Sequence, residues 1–163
     1  MLAVMPERKK LRVGVFSFMS CEGCALMLLN VLDEHEQYDA MIEFKHARLF
    51  RNNAPLQELD VAFIEGSIAT LKDERLLKEI REKSRKLILL GGCAVNGWPS
   101  TQRNNPAPAL RESMQSEAQR LGQLDAVRLP GEIVRVDGKI SGCAVSGKDL
   151  EVLLGKLCKE FKV

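Results

Sequence analysis

The stretch "LRVGVFSFMSCEGCALMLLNVL", Leu11 to Leu32, decides how the rest of the chain is read. From Leu11 to Phe18 it is dense in Val and Phe, the signature of a strand buried on both faces. A polar break carrying Cys21 and Cys24 follows. Beyond it Leu28, Leu29 and Leu32 recur on one face of a helix spanning Cys24 to Leu32. Strand, loop and helix in that order form the opening unit of an α/β protein. A Cys-x-x-Cys pair at such a junction leaves three chemistries open: a redox disulfide, half of a zinc site, or two ligands of an iron-sulfur cluster.

The alternation continues outward from this unit. "MIEFKHARL" (Met41 to Leu49), "LDVAFIEGS" (Leu59 to Ser67) and "RKLILLGG" (Arg85 to Gly92) are three more strand candidates, each short and ending in a polar or Gly-containing loop. Helical spacing of apolar residues marks Ala69 to Lys83, Ala109 to Leu121 and Lys148 to Phe161. Strand and helix in turn predict a parallel sheet covered on both faces, a doubly wound α/β fold of flavodoxin-like order. One domain over residues 1–163, with a core at about 11–157, accounts for the length. "GGCAVNGWPSTQRNNPAP" (Gly91 to Pro108) reads as a long loop. In "LPGEIVRVDGKISGCAVSG" (Leu129 to Gly147) an Asp-Gly pair between two apolar runs predicts a small hairpin or a fifth strand.

Bulk composition narrows the function classes. The 163 residues are 45% hydrophobic and 28% charged with a formal net charge of +2, so neither nucleic acid nor an anionic membrane surface is indicated as a partner. A chain of this size buries about 70% of the surface its unfolded form exposes and needs no disulfide staple. No apolar run reaches spanning length, and "MLAVMPERKKLRV" has no export signal, which predicts a cytoplasmic protein without membrane insertion. The five cysteines fall as one close pair and three singles. That pattern favours metal-binding or reactive thiols over a disulfide framework.

In an open parallel sheet, ligands bind outside the carboxyl ends of the strands. Cys21 and Cys24 follow the first strand candidate, Glu65 and Ser67 end the third, Cys93 follows the fourth, and Cys143 follows a fifth if one exists. Four thiolates on one sheet edge suit a 4Fe-4S cluster or zinc. The single cysteines in "GGC" and "SGC" have the flanking glycines that a larger body needs for close backbone approach, so the cluster is favoured over zinc. Helix N-termini after Cys21 and at Gly147 are expected to favour its negative charge. A cluster-free thiol oxidoreductase using Cys21 and Cys24 stays open. Cys158, at helical spacing with Leu153, Leu154, Leu157 and Phe161, reads as a buried bystander. Glu65 is either a cap or a site residue, Trp98 either loop packing or a functional residue, and His35 and His46 read as surface residues.

Four ordered motifs, "SCEGCALMLLNVL", "FIEGSI", "GGCAVNGWPSTQRN" and the late "SGC", resemble the small subunit of nickel-iron hydrogenases, specifically its N-terminal flavodoxin-like domain. The resemblance runs from Leu11 to Leu157. It implies that Cys21, Cys24, Cys93 and Cys143 ligate one proximal 4Fe-4S cluster facing a large subunit that carries the nickel-iron centre and handles H2. It also implies that Glu65 lies near the cluster and the interface, as a residue of the proton path or the subunit contact. Electrons then pass to a diaphorase or another iron-sulfur or flavin subunit of a soluble cytoplasmic complex, and the chain alone has no activity. The related quinone-reductase subunit of respiratory complex I has adjacent cysteines at the first motif, where this chain has "CEGC"; that relation supplies the alternative of a quinone oxidoreductase subunit. The family usually has proline after the last cysteine, whereas Cys143 is followed by Ala144. The sequence given stops without the C-terminal cysteine-rich region of longer members, so one cluster is expected.

Overall fold

Five strands form one sheet, ordered β2-β1-β3-β4-β5, with every neighbouring pair parallel. They are β1 (Leu11–Ser17), β2 (Ile42–Ala47), β3 (Leu59–Glu65), β4 (Ser84–Leu90) and β5 (Gly138–Ile140). The helices are α1 (Gly23–Glu34), α2 (Gln37–Met41), α3 (Leu71–Glu82), α4 (Gly91–Val95), α5 (Arg111–Arg120) and α6 (Gly147–Phe161). This computed structural model describes residues 9–48 and 55–163. The N-terminal residues on which the export-signal reading partly rests, and Leu49 at the end of the second strand candidate, lie outside the described residues.

The pattern of β3 explains its central place. All seven of its residues are buried, and because side chains alternate across a strand, two cores result. Val61 and Phe63 pack on one face with Leu28 and Val31 of α1 and Leu150, Leu154 and Leu157 of α6. Ala62 and Ile64 pack on the other with Leu77 and Ile80 of α3. Burial of one side chain the size of Phe63 contributes about 1.5–3 kcal/mol. Removing either helix layer therefore exposes several such residues at once. The sheet is doubly wound in the flavodoxin-like manner, as the alternation of elements predicts.

The fifth strand exists, but the hairpin does not. "IVRV" stays outside the sheet, and Gly138–Ile140 runs parallel to β4, with Ile88 opposite Gly138 and Leu90 opposite Ile140. Asp137 is the cause. Its carboxylate accepts from the Leu87 backbone N–H at 2.9 Å and from the Arg81 guanidinium, and its own N–H donates to the Leu87 carbonyl at 2.9 Å. These bonds lay the Asp-Gly pair along β4 instead of letting it fold back as a turn. The long loop after β4 is also more ordered than its composition suggests, holding α4 and short 3-10 helices at Ser100–Asn104 and Pro108–Leu110. Among the described residues, no helix is long and apolar enough to cross a membrane.

One buried acid ties the sheet together at the opposite end from the cysteines. Asp60 is 1% exposed and accepts from the Arg12 backbone N–H at 3.0 Å and from its guanidinium Nε and Nη2 at 3.1 Å each. Burial pushes the Asp60 carboxyl up, but these bonds, with Arg85 3.6 Å away, hold it below the ordinary value. A depressed acid contributes stability that is present above its unfolded pKa and is lost as pH falls through the folded one. Asp60→Asn is therefore expected to cost about 1.5–3 kcal/mol near pH 7. In urea unfolding series at stepped pH, the gap between the two proteins should narrow once the pH drops below the ordinary carboxylate range.

Candidate functional site

The carboxyl ends of β1, β3, β4 and β5 deliver four loops to one edge. Cys21 and Cys24 stand between β1 and the first turn of α1, Cys93 lies in α4 directly after β4, and Cys143 lies between β5 and α6. Cys21 and Cys143 are exposed, Cys93 is half-buried, Cys24 is buried, and all are free thiols. Short contacts fasten the loops to one another. Gly92 donates its N–H to the Gly142 carbonyl at 2.7 Å, Ser67 Oγ donates to the Cys93 carbonyl at 2.8 Å, and Met19 and Ser67 exchange backbone bonds at 3.1 and 3.2 Å. The peptide bond between Cys143 and Ala144 is cis.

Two glycines show how closely backbone approaches sulfur. A Cβ on Gly91, whose φ is +83°, would lie 2.4 Å from Cys24 Sγ and 3.4 Å from the Gly142 carbonyl oxygen. A Cβ on Gly23 would lie 3.3 Å from Cys21 Sγ and 3.8 Å from the Ala144 Cβ. The loops after β1, β4 and β5 thus meet at Gly91, and those after β1 and β5 meet again at Gly23. The thiols also feel one another's charge. Burial pushes Cys24 up to about 11, against a backbone hydrogen bond from Val145, and Glu65, Cys93 and Cys21 add to the rise. Burial likewise raises Cys93, with Cys21, Cys143 and Glu65 contributing. An uncompensated thiolate is disfavoured at this edge; a bound cation or cationic cluster core would reverse that preference.

Glu65 is a cap. It is 2% exposed, and its carboxylate accepts the N–H groups of Cys24 at 3.2 Å and Ala25 at 3.0 Å. Those are first-turn donors of α1, which has no side-chain cap of its own because Glu22, in the left-handed conformation at φ 62°, supplies none. A carboxylate there complements the helix dipole. Burial still raises the Glu65 carboxyl above its ordinary value, against the two backbone donors. At the N-terminus of α1, expected to favour the negative charge of a bound group, Glu65 takes the Cys24 and Ala25 donors. At α6, Ser146 accepts from the Asp149 N–H at 3.4 Å.

The other sequence candidates separate cleanly. Cys158 is 5% exposed within the core of α6 and takes no part in the edge. His35 pairs with Glu151 at 3.6 Å and meets Tyr38 edge-on, and His46 stacks on Phe16 at 4.6 Å, so both are packed rather than free surface groups. Trp98 is 58% exposed in the loop after α4, and Leu26 is 54% exposed in α1. Sequence reasoning missed Ser20, whose Oγ is buried with no hydrogen-bond partner directly before Cys21; only its adjacency to the cysteine signalled it. Among the described residues, no three His, Cys, Asp or Glu side chains are grouped to hold a single metal ion.

Comparisons with known proteins bear on this arrangement. The sulfhydrogenase 2 delta subunit of Pyrococcus furiosus is 27% identical over 149 residues, covering 91% of this chain and 62% of the relative. A subunit of the vhu F420-non-reducing hydrogenase of Methanococcus voltae is 40% identical over 91 residues, covering 54% of this chain and 31% of the relative. The chain therefore spans less than two thirds of the length of these relatives. In fold, it superposes on a chain of a crystallised NAD+-reducing [NiFe]-hydrogenase in the H2-reduced state with a TM-score of 0.80, 24% identity and 93% coverage of both chains. A [NiFeSe]-hydrogenase from Dm. baculatum gives a TM-score of 0.60 at 16% identity, covering 94% of this chain and 63% of that one. The model of the family "NADH ubiquinone oxidoreductase, 20 Kd subunit" matches residues 21–157, a span that starts at the first cysteine of the edge and takes in all the others. With that match, the chain belongs to the family of the NADH ubiquinone oxidoreductase 20 kDa subunit and the nickel-iron hydrogenase small subunit.

Proposed function

We propose that this chain is the electron-transferring small subunit of a cytoplasmic nickel-iron hydrogenase, residues 1–163 acting as one iron-sulfur domain in which Cys21, Cys24, Cys93 and Cys143 hold a single 4Fe-4S cluster. The observation that carries the reading is the convergence of four cysteines, on the three loops that follow β1, β4 and β5, at one edge, closed by the Gly92 to Gly142 hydrogen bond. The hydrogenase subunits among its relatives favour H2 as the substrate of the complex.

The residues present fit such a group. The donor set is all sulfur, and glycines keep Cβ atoms away from Cys21 Sγ and Cys24 Sγ. When bound, the cluster would supply one-electron redox chemistry between the nickel-iron centre of a large subunit and cofactors on a diaphorase or another iron-sulfur or flavin subunit. The chain's own residues do the holding. Glu65 fixes the first turn of α1, and with it the Cys24 backbone, which makes it a positioning residue. Ser67 does the same for α4 through the Cys93 carbonyl. Exposed Trp98 and Leu26 give the rim of this edge apolar surface for the large subunit.

Purification without oxygen, together with the subunits it assembles with, is expected to yield about four iron and four sulfide per chain. Zinc in their place, or no metal, overturns the proposal. A second reading, a quinone oxidoreductase subunit, is favoured by the name of the matching family. The partner's sequence separates the two: a hydrogenase large subunit has paired Cys-x-x-Cys motifs near both ends for nickel and iron, and a quinone-linked partner lacks them.

A further inference from the structure

The turn that follows Cys143 does more than supply that cysteine. Gly142 and Val145 face each other in an antiparallel bridge. A Cβ on Gly142, whose φ is +134°, would lie 2.7 Å from the Ala144 carbonyl oxygen and 3.2 Å from Val145 Cα, so the chain is folded tightly on itself here. The turn is also held from both sides. Before it, the Gly142 carbonyl accepts the Gly92 N–H at 2.7 Å. After it, α6 starts hard against α1, where a Cβ on Gly147 would lie 3.4 Å from Val31 Cγ2 and 3.6 Å from Met27 Sδ.

These constraints aim one backbone donor at one sulfur. The Val145 N–H donates to Cys24 Sγ. That sulfur is the atom a Cβ on Gly91 would strike, at a point that also lies 3.4 Å from the Gly142 carbonyl oxygen, which places Cys24 Sγ beside the turn by a second measure. Val145 is 2% exposed and Cys24 6%, and both belong to the core built from α1 and α6. Water has no access to replace the donor, and a hydrogen bond in such surroundings is electrostatically stronger than one in water. Cys21 and Cys143 differ in being exposed.

We infer that the Val145 N–H is a built-in donor to one sulfur of the cluster site and raises the reduction potential of the cluster above what the four cysteines alone would give. The inference rests on the reading of Cys24 as a ligand. Reduction adds one negative charge, which the ligand sulfurs share, and a donor fixed on one of those sulfurs stabilises the reduced form more than the oxidised one. The loop after β5 thus supplies one ligand and tunes another. Because the donor is backbone, the identity of the side chain at this position gives no sign of the role.

Pulsed electron paramagnetic resonance tests it on the anaerobically purified complex, chemically reduced and carrying nitrogen-15 only at valine. A nitrogen-15 coupling to the cluster spin is expected. Val95, two residues after Cys93, carries the label as well, so Val145→Ile assigns the signal: it keeps the N–H, removes the label from it, and should abolish the strongest coupling. Val145→Ala does the same if the larger side chain crowds the core. Replacing Val145 by its α-hydroxy analogue exchanges the N–H for an ester oxygen and deletes the donor alone. The midpoint potential should then fall, so that at a fixed solution potential the ratio of reduced to oxidised cluster drops about fivefold, the worth of one hydrogen bond. About four iron per chain with no valine coupling, or with a coupling unchanged in both variants, overturns the inference and leaves the cluster reading standing. An unchanged potential in the ester form does so too. A complex without iron overturns the cluster reading and the inference with it.

Discussion

Cys93→Ala is expected to reduce the iron of the anaerobically prepared complex from about four atoms per chain to below one, while Cys158→Ala leaves it unchanged. The two cysteines differ in what surrounds them. Cys93 sits on the edge where Cys21 and Cys143 contribute to its environment, and its backbone is held in place by Ser67 Oγ, so the structure cannot shift another donor into its place. Cys158 lies among Leu154, Leu157 and Phe161 as a small apolar group; shortening it removes one sulfur from a packed core at a cost of about 1 kcal/mol. The contrast also tests the cluster-free thiol oxidoreductase. That reading needs only Cys21 and Cys24, so it expects Cys93→Ala to retain full function, as it does for Cys143→Ala. Iron and sulfide analysis of the four proteins side by side decides between them.

Why some of this was legible from sequence, and some not, follows from which forces act locally. β1, β3 and β4 announce themselves because strands buried on both faces need continuous apolar runs, and "VAFI" and "LILL" have little else to do. The order of cysteines after those strands then follows from topology alone. α4 was hidden because "GGCAV" opens with two poor helix formers; it exists through a long-range contact, the Gly92 N–H on the Gly142 carbonyl, which no local pattern reports. The hairpin at Asp137 failed for the same kind of reason. Asp-Gly is a strong turn signal in isolation, and a guanidinium from α3 overrode it. Glu65 was ambiguous because its partners, the Cys24 and Ala25 N–H groups, are about forty positions away. The pattern "FIEGS" says that an acid ends a buried strand; only the fold says which helix it caps.

Gly91→Ala should be the most damaging change that leaves every candidate ligand in place. Two costs combine at this position. A φ of +83° is open to glycine and strained for an L side chain, by about 1 kcal/mol or more. The added Cβ also lies 2.4 Å from Cys24 Sγ, and neither side can give way easily. Cys24 is 6% exposed with its N–H held by Glu65, and the next residue, Gly92, is bonded to the Cys143 loop. Overpacking of this kind costs about 1–3 kcal/mol, so the total expected is about 2–4 kcal/mol, seen as a lower urea midpoint. Gly122→Ala provides the comparison, because Gly122 has φ +65° and nothing within 4 Å of the added methyl. It bears the backbone cost without the collision. A destabilisation at Gly91 well beyond that at Gly122, accompanied by lost iron at Gly91 alone, would show that the glycine is there to let backbone pass the sulfur of Cys24; equal losses at both sites, with iron retained, would reduce its role to the turn.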